Sequence, residues 1–109
     1  MEYKEMLVTL KDYELATLED NLHNRLDELS DAIYAIEEQI EELYSEYSWY
    51  DSQTNDYILT GNAAHYEDNL QGELAGLDED VLRTRAQLKD VLRLRKELSR
   101  GYKLNSRMY

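Results

Sequence analysis

The sequence predicts an all-α fold: a long antiparallel helical hairpin of coiled-coil type, with two such hairpins expected to pair as a homodimer in a four-helix bundle. Three observations predict it. Apolar residues recur at alternating spacings of three and four in two separate stretches, the pattern that keeps one stripe of a helix turned toward a partner. A polar segment between the stretches interrupts that pattern. The 109 residues contain no proline and only four glycines, so nothing forces a break in a long helix and the composition disfavours a turn-rich β fold.

The first helix is expected over about residues 9–50. Its apolar positions are Leu15, Leu18, Leu22, Leu26, Leu29, Ile33, Ile36, Ile40, Leu43, Tyr47 and Tyr50. From Leu26 onward they alternate by three and four, which places Tyr47 and Tyr50 on the core seam. The two steps of four at Leu18, Leu22 and Leu26 read as a stutter. Thr9 followed by Asp12 is a variant capping box for the helix start.

A hinge is expected over about residues 51–62, where Asp51 to Asp56 and Thr60-Gly61-Asn62 are turn and cap residues. Tyr57-Ile58-Leu59, between them, is read as one short helical turn. The second helix is expected over about residues 63–100, with Asn62 as N-cap. Its seam is Leu70, Leu74, Leu77, Val81, Thr84, Leu88, Val91, Arg95, Leu98 and Tyr102. Gly101 reads as a helix stop ahead of a basic tail, residues 101–109. The whole forms a single helical domain, residues 1–109.

Charge is distributed as unevenly as the apolar residues are evenly. From Asp12 to Asp80 there are 20 carboxylates and one cation, Arg25, whereas from Val81 to Tyr109 there are nine cations and two acids. The hairpin register sets the basic stretch from Arg83 to Arg100 beside Glu14, Glu19, Asp20, Asp27, Glu28 and Asp31. Those cations are therefore expected to flank the seam rather than bind nucleic acid directly, and the net charge of −12 also repels phosphate.

Several functions are disfavoured by composition. With no cysteine, disulfides and thiolate metal sites are excluded and a reducing compartment is the natural expectation. No cationic stretch followed by an apolar run opens the chain, and no apolar segment approaches the roughly 20 residues that span a bilayer. A cytoplasmic protein without membrane contact is expected, in the host-cell cytoplasm if phage-encoded. His23 has Glu19 and Asp27 one turn to either side but no second histidine nearby, and His65 reads as a surface residue at a helix start. No glycine-rich phosphate loop or serine-histidine spacing occurs. Neither enzymatic activity nor a cofactor or metal is expected.

The hinge end carries the binding signal. Glu37, Glu38, Glu41, Glu42 and Glu46 lead into it, and no cation lies between Glu37 and Asp80. Like charges four apart on a helix cost roughly 0.2–0.5 kcal/mol per pair, so the run calls for a reason. Tyr34, Tyr44, Tyr47, Trp49, Tyr50, Tyr57 and Tyr66 crowd the same end of a chain that has no phenylalanine, and tyrosine and tryptophan are enriched at binding hot spots. Five carboxylates over residues 37–46 occupy about 15 Å of helix, about one charge per 3 Å. A DNA strand carries one phosphate per roughly 3.4 Å of axis. The expected contact set is Glu37, Glu38, Glu41, Glu42, Glu46, Trp49, Tyr50 and Asp56, directed at the basic surface of a nucleic-acid-binding protein.

In composition and charge layout the chain resembles the small acidic helical nucleic-acid mimics with which phages and mobile elements block restriction enzymes, CRISPR effectors and DNA-repair nucleases. That resemblance implies an inhibitor of the anti-CRISPR or anti-restriction class. It rests on no diagnostic motif, so it assigns no individual residue. A second reading starts from Leu82, Leu92 and Leu94 beside the second seam and from Met6, Leu7, Val8 and Leu10 near Tyr102 and Leu104. Such surplus apolar residues suit a coiled-coil adaptor, assembly factor or chaperone acting through homodimerisation or helix-helix recognition, or a hairpin capped by its own termini.

Overall fold

The computed structural model describes the backbone of residues 3–107 and the side chains of residue 3 and residues 5–100. The chain forms α1 (Tyr3–Leu7), α2 (Asp12–Tyr47), a two-stranded antiparallel sheet of β1 (Trp49–Asp51) and β2 (Asp56–Ile58), and α3 (Gly61–Arg107). It is mostly helical, with the two long helices packed against each other as a hairpin. Among the described residues no helix is long and apolar enough to cross a membrane.

The helix ends show local chemistry at work. Thr9 does not cap α2: its hydroxyl donates to the Met6 carbonyl at 2.7 Å and its amide to the same carbonyl at 3.1 Å, closing α1. Instead the Glu14 carboxylate reaches back to the Lys11 amide at 3.2 Å, half of a capping box. At the far end the Ser48 hydroxyl donates to the Tyr44 carbonyl, drawing off a terminal acceptor as the chain leaves the helix. α3 opens at Gly61, so Asn62 sits inside its first turn rather than before it, and α3 runs through Gly101 to Arg107. Gly101 is therefore not a helix stop. The side chains of Tyr102 and Leu104, and residues 108 and 109 of the expected tail, lie outside the described residues.

The chain divides into two compact units, one made of the residues up to Asp27 with those from Val81, the other of Glu28–Asp80. In the first, Leu7, Leu15, Leu22, Leu88 and Val91 form a buried cluster, with Tyr3, Leu10, Leu18, Leu26 and Leu94 packed against it. Each fully buried aliphatic side chain contributes roughly 1.5–3 kcal/mol. Leu7 belongs to α1, so the N-terminal segment supplies part of this core. Arg95 lies on the α3 seam, and its guanidinium joins Asp12 at 3.2 Å and also Glu19. These contacts hold it in the charged form, the Asp12 hydrogen bond foremost. Of the acids expected beside the basic stretch, Glu19 is thus met by Arg95. Arg93 instead pairs with Asp90 of its own helix at 3.3 Å.

In the second unit Leu29, Ile36 and Leu43 of α2 and Leu70 of α3 are buried, flanked by half-buried Ile33, Ile40, Leu74 and Leu77. Within α2 the buried row is Leu15, Leu22, Leu29, Ile36 and Leu43. Its spacing is seven throughout, so the residues read as a stutter do not interrupt it. On α3 the expected seam is buried or half-buried from Leu70 to Arg95, but Leu98 is exposed.

Two expectations at the hinge fail. Tyr47 and Tyr50 are not core residues, being 60% and 51% exposed. Because α2 ends at Tyr47 and the chain becomes extended at Trp49, Tyr50 no longer follows the helical phase that placed it on the seam. Nor is Tyr57-Ile58-Leu59 a helical turn, since Tyr57 and Ile58 belong to β2. The strands pair Trp49 with Ile58, Tyr50 with Tyr57 and Asp51 with Asp56. Asn55, at φ 60°, accepts the left-handed conformation that asparagine tolerates better than most residues. Its amide closes the turn on the Asp51 carbonyl at 2.8 Å, and the Asp51 carboxylate takes the Gln53 amide at 3.0 Å.

Gly61 joins the sheet to α3 at φ 61°, and an added Cβ would meet nothing within 4 Å. Gly61→Ala is therefore expected to cost about 1–2 kcal/mol through backbone conformation alone. A urea titration followed by circular dichroism measures it; an unchanged midpoint would contradict the left-handed junction.

Candidate partner-binding surface

The compact unit Glu28–Asp80 contains 15 carboxylates and no lysine or arginine, whereas the rest of the chain has 12 cations and nine acids. All eight residues of the expected contact set fall within it, and all eight are exposed. Glu37, Glu38, Glu41, Glu42 and Glu46 project from α2 away from the buried row of Leu29, Ile36 and Leu43. At about 100° per residue they fan over roughly 180° of the helix surface. They form a broad negative face rather than the single file that linear spacing suggests. Tyr34 stands within that face, and its hydroxyl donates to Glu38; this bond, with the charges of Glu38 and Glu41, raises its pKa.

The hairpin separates the remaining three. Successive residues of a strand point to opposite faces, so Trp49 shares a face with Asp51, Asp56 and Ile58, and Tyr50 shares the other with Tyr57. Trp49 Nε1 lies 3.5 Å from the Thr60 hydroxyl, a long contact. Tyr50 and Tyr57 meet edge to face, their ring centroids 5.6 Å apart and their planes at 68°, a geometry worth about 0.5–1.5 kcal/mol beyond area burial. The Tyr50 hydroxyl also donates to Asn55 Oδ1. Asp51 opposite Asp56 is unfavourable, but each carboxylate accepts a backbone amide, that of Gln53 for Asp51 and that of Tyr57, at 2.8 Å, for Asp56.

The contact set leaves out four exposed rings of this unit: Tyr47, Tyr57, Tyr66 and the Tyr34 already described. The first was assigned to the core by periodicity. For Tyr57 the signal was present, since Trp49-Tyr50 and Tyr57-Ile58 flanking a polar turn is a hairpin pattern. Tyr66 is placed by its hydroxyl, 3.4 Å from Gln39 Oε1. With Tyr47 it walls an open groove completed by Leu43, Thr60, Asn62 and Ala63.

Tyr44 ties α2 to α3 by donating to Glu67. That hydrogen bond, followed by partial burial and the charges of Glu67 and Asp56, raises its pKa. A raised tyrosine pKa means the fold favours the neutral phenol. Its stabilising contribution is complete below the unfolded value of about 10 and is lost as pH rises through the higher folded value. In an alkaline absorbance titration, the difference between wild type and Tyr44→Phe should show a phenol ionising above pH 10. Ionisation at or below that value would refute the Glu67 bond.

His23 and His65 are both exposed, and among the described residues no group of three or more histidines or carboxylates is arranged to hold a metal ion. No protein-family model matches the sequence, and neither curated proteins nor solved structures give a match.

Proposed function

We propose that the protein is a non-catalytic acidic binding module whose Glu28–Asp80 unit occupies the basic nucleic-acid groove of a target protein. It would act as an inhibitor of the phage or mobile-element type, in the anti-CRISPR or anti-restriction class. One observation carries the reading: 15 carboxylates without a single lysine or arginine, displayed with six exposed aromatic rings on one compact unit. A stretch with this excess of carboxylates over cations raises the negative potential that steers a cationic partner, and exposed rings supply contact area where charge alone would not. The test is capture of proteins from a native-host extract on the immobilised chain. Nucleic-acid-binding proteins should be retained at low salt and released both by high salt and by added duplex DNA, which competes for the same groove. Retention indifferent to DNA and to salt would refute the reading.

A specific feature favours a second reading. Leu82 is 66% exposed and Leu92 is 44% exposed on α3, and Leu92 lines a shallow pocket with the cations Lys89, Arg93 and Lys96. These leucines suit an adaptor, assembly factor or chaperone that recognises a partner helix, or a homodimer closing a four-helix bundle. Sedimentation of wild type and Leu82→Ser distinguishes the two. Salt-insensitive self-association abolished by the substitution supports the second reading, whereas a monomer at all concentrations removes the dimer.

A further inference from the structure

We propose that the groove between Tyr47 and Tyr66 is a receptor for an arginine side chain of the partner, and that the protein thereby selects arginine over lysine. The inference rests on the reading of Glu28–Asp80 as a surface for a basic partner, and it names which basic residue that surface prefers.

Carboxylates alone attract either cation, so the selectivity must come from what surrounds them. Exposed Tyr47 and Tyr66 line an open groove together with buried Leu43 and half-buried Ala63, which give it an apolar base. The Thr60 hydroxyl and the Asn62 side chain lie on the same groove and offer oxygen acceptors. A guanidinium is planar, weakly hydrated and forked, so it can lie on a tyrosine face while donating to acceptors at its edge; an ammonium is a compact, strongly hydrated point charge. The arginine stem would cover the apolar base. No lysine or arginine occurs in the sequence from Glu28 to Asp80. Negative charge around the groove is also within electrostatic reach: Asp56 and Glu67 both act on the Tyr44 hydroxyl, and Tyr44 is one helical turn from Tyr47.

Binding of two blocked peptides, five Arg-Ser repeats and five Lys-Ser repeats, tests the proposal with equal length and charge. Trp49, the only tryptophan, is a built-in fluorescent reporter, and calorimetry is the second readout. The arginine peptide should bind roughly tenfold more tightly, the range of a partly desolvated cation–π contact. In Tyr47→Leu/Tyr66→Leu the preference should fall to about twofold or less, with lysine-peptide affinity unchanged. Tyr66→Phe, which keeps the ring, should retain the preference. Both rings are exposed, and the single leucine variants keep the test readable should the double change unfold the chain. Equal affinity for the two peptides, or a preference that survives loss of both rings, overturns the arginine receptor while leaving the acidic-surface reading standing. If neither peptide binds, both fail.

Discussion

Replacing Glu38, Glu41 and Glu42 together with lysine is expected to weaken partner binding by about two orders of magnitude, because three surface attractions become repulsions of similar size. The same change should stabilise the free protein. Of the three like-charge pairs four apart within residues 37–46, Glu37 with position 41 and Glu46 with position 42 become opposite-charge pairs, while positions 38 and 42 remain alike. The net gain is about 1–2 kcal/mol. This opposition of sign separates lost recognition from lost folding, since a variant that binds poorly because it is misfolded cannot also melt later. Affinity measured at two salt concentrations and a thermal melt are sufficient. Binding that survives the triple reversal would sink the proposed function.

The second large effect concerns the core. Leu15→Ala should cost about 2–5 kcal/mol, because Leu15 is fully buried in the cluster with Leu7, Leu22, Leu88 and Val91. For a chain of this size that is a large share of the whole stability. Leu82→Ala should cost less than about 0.5 kcal/mol plus a small helix-propensity term, since Leu82 is mostly exposed. Urea unfolding of the pair provides the comparison. Equal effects would mean that Leu15 is not the core residue its burial indicates, or that Leu82 is covered by another molecule in solution.

Much of this architecture was legible because heptad spacing over many turns has few alternative explanations. The row from Leu15 to Leu43 and the α3 seam from Leu70 to Arg95 lie where the spacing puts them. The hinge was not legible in the same way. Tyr50 continues the helical phase by coincidence, and a run of three strand residues is too short for periodicity to separate from a helix end. What fixes the hairpin is pairing across the turn: Tyr50 against Tyr57, with Asn55 left-handed between them. The glutamates of the candidate surface could be placed outside because unpaired carboxylates are rarely buried. Their spread around α2, and the opposite facing of Trp49 and Tyr50, depend on backbone conformation that spacing along the chain does not specify.

The cation-free stretch also has a chemical consequence. Trypsin cleaves after lysine and arginine, so a complete digest must release residues 26–83, from Leu26 to Arg83, as one long peptide containing the sole tryptophan. Amine-directed dyes, resins and cross-linkers meet no lysine between Lys11 and Lys89. Any such reagent tethers the molecule through its other residues and leaves the carboxylate-bearing unit chemically unmodified, which makes amine coupling a natural way to present that surface to a partner.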